Sequence, residues 1–165
     1  MVGKHQLKKR NQYAKVSDAN FSDNEIAFLE IARLFFLSFS TPNTHAWEHA
    51  IHHGKLRYGE CKGQLFALGV LEVINEMRRS RKHIFKFSNP TCPCCINKLS
   101  DHERLLMDII SLRRTQNHTA ANISALILCE GNCPKKLYIA TDKFWNEFNH
   151  YDSAQKIALI HNNII

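Results

Sequence analysis

The stretch SDNEIAFLEIARLFFLSF, residues 22–39, decides the fold class. Ser22 and Glu25 have the spacing of a capping box, in which each side chain satisfies a free backbone N–H of the first helical turn. From Ile26 to Phe39, apolar residues fall on almost every side of a helix, with only Glu30 and Arg33 charged among them. A helix apolar nearly all round sits at the centre of a bundle, or lends one flank to a partner subunit.

The rest of the chain supplies that helix with neighbours of its own kind. Thr41-Pro42 predicts a cap with proline at the first helical position, opening a second helix that runs to about Tyr58. Gly59 and Gly63 bracket the next break. Residues 64–80 then place Phe66, Val70, Val73, Ile74 and Met77 on one stripe at helical spacing. Lys86 alternates with Phe85 and Phe87, which predicts a short extended segment over 84–87, ended by the Asn89-Pro90 turn. Ser100 with Glu103 repeats the capping box and starts a fourth helix. A fifth, over 119–129, is apolar nearly all round and predicted to be buried, with Gly131 as its C-terminal cap and Pro134 beyond. A sixth covers 136–149, and Asp152 with Gln155 predicts a last short helix ending near His161. The expectation is an all-α, compact orthogonal bundle of six or seven helices with a Cys-rich connecting loop. Residues 1–20 are polar and basic and are predicted to form a flexible tail, leaving 21–165 as a single helical domain.

At 165 residues, 44% of them hydrophobic, the chain can build a real core without disulfides. The basic N-terminus is followed by no apolar run, which argues against a secretory signal, and the segment from Ile26 to Phe39 is too short to span a bilayer. A cytoplasmic protein without a membrane association is expected. In that compartment thiols stay reduced, and clustered cysteines bind metal or react rather than cross-link.

Three of the six cysteines lie in Cys92-Pro93-Cys94-Cys95. A CxxC turn curls the backbone so that two sulfurs converge, and the proline after the first cysteine resembles the CPxC knuckle of zinc ribbons and rubredoxin-like sites over these four residues. Structural zinc takes four sulfur or imidazole ligands, so Cys92 and Cys95 need two more. Cys129 and Cys133 form a second pair, separated from Cys95 by 33 residues, with Cys94, Cys61 and His102 as alternates. Two other readings stand beside structural zinc. The thiols are inert and buried, or they are reactive and serve a thiol- or metal-responsive sensor, since Cys94 and Cys95 precede a helix start that can lower a thiol pKa.

His45, His49, His52 and His53 are spaced to form one stripe on a helix, with Trp47, Ala50, Ile51 and Tyr58 on the opposite, core-facing side. His45-Ala-Trp-Glu48-His49 also resembles the HxxEH pattern of inverzincin metalloproteases. That likeness implies zinc on His45 and His49, with Glu48 activating water; it identifies no third ligand, a place for which Glu130 is the candidate. The pattern covers five residues of a short chain without strands, and a solvated polar face is the plainer reading.

The net charge of +7 comes from two segments. Residues 1–17 and 78–88 each hold five Lys or Arg and no acid, which exceeds the whole-chain excess and leaves everything else net acidic. Arg78, Arg79, Arg81, Lys82 and Lys86, interleaved with Phe85 and Phe87, form a mixture suited to nucleic acid or to an acidic protein partner. Cations at the end of the third helix also complement its dipole. With no nucleophile–base set and no phosphate loop, the sequence predicts a small regulatory or adaptor protein with a structural zinc site rather than an enzyme.

Overall fold

A computed structural model describes residues 14–162 of the chain, with side-chain placement through Tyr151. It is a helical bundle: α1 (Asp23–Ser40), α2 (Ala46–Tyr58), α3 (Glu60–Arg79), α4 (Asp101–Arg114), α5 (His118–Leu128) and α6 (Lys135–Asn162). A two-stranded antiparallel ladder, β1 (Ala14–Lys15) and β2 (Lys98–Leu99), pairs Ala14 with Leu99 and Lys15 with Lys98.

Both capping boxes that open α1 and α4 form. Ser22 Oγ accepts from Glu25 N, and Ser100 Oγ accepts from Glu103 N, while each glutamate accepts from its N-cap backbone. α1 packs on α2, α3 and α4, and α3 also packs on α2 and α6. The core is aromatic where α1, α3 and α6 meet. Phe66 and Phe144 lie 5.0 Å apart edge to face, and Phe28 meets Phe144 at 5.4 Å. Such pairs add to the area they bury. Trp145 donates its indole N–H to the Ile110 carbonyl at 3.1 Å, so its one polar atom is satisfied inside.

Several expectations need correction. Pro42 opens a 3-10 turn, Pro42–Thr44, not α2, because His45 follows in the left-handed region at φ 51° and the α-helix begins only at Ala46. Gly63 is no linker. It lies inside α3, where its backbone meets that of Gly54 on α2. The last two predicted helices are one, α6, because the chain from Lys135 to Asn162 contains neither glycine nor proline to end the first of them. A capping pattern marks a start only where the preceding helix has stopped. α5 is not buried all round. Packed chiefly on α4, it buries Ala121, Ala125 and Leu128 and leaves Ile123 and Ile127 at 62% and 60% exposure.

Of the predicted tail, residues 1–13 lie outside the described residues. Residues 14–17 pair with the chain just after the cysteines. Beyond the ladder, Val16 N donates to Asn97 O at 3.0 Å and Ser17 N to Asn97 Oδ1 at 3.2 Å. Among the described residues no helix is long and apolar enough to cross a membrane.

Candidate metal centre

The segment 89–99 is a string of tight turns. Asn89 Oδ1 accepts from both the N–H and the hydroxyl of Thr91, each at 2.9 Å, and starts the first turn. Pro93 contributes a fixed φ and no N–H. The Cys92 carbonyl then accepts from Cys95 N at 2.9 Å and Ile96 N at 3.0 Å, and Lys98 N closes the next turn on Cys95 O at 2.8 Å. This curl gathers three sulfurs. Sγ of Cys92 lies 3.0 Å from that of Cys94 and 3.1 Å from that of Cys95, and the Cys94–Cys95 separation is 3.7 Å. Among the described residues this is the one group of three Cys, His, Asp or Glu donors close enough to share an ion, and it can hold a metal ion.

Its electrostatics suit that role. Hydrogen bonds shared with the thiols of Cys94 and Cys95 lower the Cys92 pKa to about 7. The bonds to Cys92 and Cys94, with their negative charge, push Cys95 up to about 11. One thiolate forms readily and the next is repelled. A bound cation removes that repulsion and draws off the remaining protons.

The curl is tied to the core by a residue that first looks like an interruption of α1. Arg33 is 2% exposed and Glu103 is fully buried. Arg33 Nε meets Glu103 Oε1 at 2.7 Å, while its Nη1 and Nη2 donate to the carbonyls of Ile96 and Lys98, each at 2.6 Å. Glu103 also accepts from Ser88 N at 3.1 Å. One ion pair thus holds both ends of the cysteine segment, with β1 pairing along its exit. The signal lay in the sequence: a lone arginine in an apolar helix, and a later capping-box glutamate free to face it.

The second cysteine pair does not join the three sulfurs. Cys129 is buried at the end of α5, where its Sγ accepts from Ser80 Oγ at 3.0 Å and burial raises its pKa. Cys133 and Cys61 are exposed and outside the group. His102 is outside it as well. Its Nδ1 accepts from Lys86 N at 2.8 Å, and burial, then the charges of Arg81 and Lys86, lower its pKa.

The histidine helix gathers no three donors. His45 precedes α2, with Nδ1 3.8 Å from Glu48 Oε1, and His53 Nε2 pairs with Glu30 Oε2 at 3.0 Å. Trp47, expected in the core, is 49% exposed.

The basic segment divides in two. Arg79 pairs with Glu76, and Arg81, nearly buried, pairs with Glu130 at 3.2 Å. The Glu130 carboxylate also accepts from the backbone of Lys82, at 2.9 Å, and of His83. Bonding from Lys82 first, and then from His83, brings its pKa to about 2. The residue considered as a zinc ligand is therefore the anchor of the 81–83 turn. Arg78 lies over the Phe39 ring at 3.8 Å, and Lys82 and Lys86 face solvent.

No family model, curated protein or solved structure matches the chain.

Proposed function

We propose that this chain is a small cytoplasmic regulatory or adaptor domain whose 89–99 loop is folded around one zinc ion held by Cys92, Cys94 and Cys95. The convergence of three sulfurs from a single turn supports this reading. Zinc–sulfur bonds of about 2.3 Å in a tetrahedron put sulfurs roughly 3.8 Å apart. The Cys94–Cys95 spacing of 3.7 Å already fits, and the other two need to widen by less than about 1 Å. The fourth position falls to water or to a donor from a partner. The ion stabilises the loop and performs no chemistry, and the cations of residues 78–86 meet an acidic partner.

Metal content after zinc-supplemented expression tests this. One zinc per chain is expected, lost in Cys92→Ser and Cys95→Ser and kept in a Cys129→Ser/Cys133→Ser variant. Metal-free protein, or equal loss in the Cys129→Ser/Cys133→Ser variant, ends the proposal.

A second reading rests on the 3.1 Å approach of the Cys92 and Cys95 sulfurs, both partly exposed. In a thiol sensor, glutathione disulfide oxidises these two thiols to a disulfide and leaves as two reduced glutathiones with both protons. Reversible oxidation of metal-free protein, with altered partner binding, distinguishes it from the zinc clamp.

A further inference from the structure

The connection between α3 and α4 has a backbone edge that no other described residue uses. Residues 84–89 run without turn or bend. Lys86 N donates to His102 Nδ1, Lys86 O accepts from Ser100 Oγ at 2.7 Å, and Ser88 N donates to Glu103. All three contacts face the start of α4. On an extended chain, successive residues turn their N–H and C=O to opposite sides. Phe85 and Phe87 therefore present theirs to the other edge, and among the described residues those groups have no hydrogen-bond partner. Their rings point inward against Phe36, Phe85 stacked at 4.4 Å and Phe87 tilted at 5.6 Å. Ile84 points out at 87% exposure.

Beside this segment lies a cleft of about 490 Å³. The end of α1 forms one wall with Phe36 and Phe39, and the 81–87 segment forms the other. Arg78 and Lys82 stand on its rim, and no carboxylate lines it. An unpaired strand edge, an apolar floor and a cationic rim match one kind of occupant. The N-terminal residues of this chain carry the same sign of charge as the rim and do not complement it.

We infer that the cleft binds an extended acidic–apolar peptide of a partner protein, which adds as a strand to the Phe85–Phe87 edge. Main-chain bonds to Phe85 and Phe87 supply affinity, alternate apolar side chains enter the cleft over Phe39 and Ile84, and carboxylates meet Arg78, Lys82 and Lys86. This rests on the partner-binding half of the proposal above and is independent of the metal.

The test uses the full chain and three labelled probes: an alternating Asp-Val peptide of about a dozen residues, the same peptide N-methylated at every second residue, and oligo-dT of equal length. Fluorescence anisotropy should show saturable binding of the first. The N-methylated peptide should bind on the order of tenfold more weakly, since it cannot complete the ladder. Arg78→Ser and Lys82→Ser should weaken binding and flatten its salt dependence, and the amides of Phe85 and Phe87 should gain protection from hydrogen exchange. Absent binding, equal binding of the N-methylated peptide, or tighter binding of oligo-dT without protection of those amides overturns the inference. Zinc content measured on the same sample reports on the metal proposal separately.

Discussion

Replacing Arg33 with methionine is expected to lower the unfolding free energy by about 3–5 kcal/mol, the cost typical of stripping one partner from a buried ion pair. The substitution leaves the fully buried Glu103 carboxylate without its counter-charge and removes the guanidinium donors from the Ile96 and Lys98 carbonyls. Two bonds from the backbone of Ser88 and Ser100 cannot compensate a buried negative charge. Urea denaturation gives the measurement. An Arg33→Met/Glu103→Gln double variant should recover part of the loss, because a neutral amide at position 103 no longer demands a cation. The same change frees both ends of the cysteine segment, and metal affinity should fall by about 10- to 100-fold as positioning is lost. A penalty below about 1 kcal/mol would show that the pair does not clamp the loop.

The second large effect is expected at the crossing of α2 and α3. A Cβ on Gly63 would stand 2.1 Å from the Gly54 carbonyl oxygen and 2.5 Å from the Lys55 Cα. Both are backbone atoms, which cannot swing aside as a side chain can. The helices must separate, and the buried faces carrying Ala50, Ala67 and Val70 must open with them. Gly63→Ala should cost about 3 kcal/mol or more, outweighing the gain of up to about 1 kcal/mol in helix propensity. For a chain of this size that is a fall in Tm of roughly 6–12 °C. Gly69→Ala is the control, because its added methyl meets the Phe144 ring at 2.7 Å and a ring can shift. If Gly63→Ala melts with the parent protein, the close approach is not needed.

The features legible in advance are those in which one turn of chain contains all the participants. Ser22 with Glu25, and Ser100 with Glu103, cap their helices within four residues. Cys92 and Cys95 converge because a CxxC turn carries its own geometry, and the alternate Cys94 joins them. The second cysteine pair stays outside the group for the converse reason. Nothing local places Cys129 and Cys133 near residue 92, and the packing of α5 directs Cys129 toward Ser80 instead. The anchoring role of Glu130 is equally hidden from any local pattern, since its partners in the 81–83 turn are nearly fifty residues away.

Glycine is ambiguous in the same way. It breaks helices and it also lets them touch, and only the approach of α2 shows which role Gly63 has.

Periodicity and capping chemistry alone made this protein a bundle of helices with a cysteine turn between two of them, because those forces act within a few residues. Tertiary packing decided which helix faces stay wet, which cation is buried and which cysteines stay apart from that turn. Those outcomes depend on which distant surfaces exclude water together, and no short window of residues holds that information.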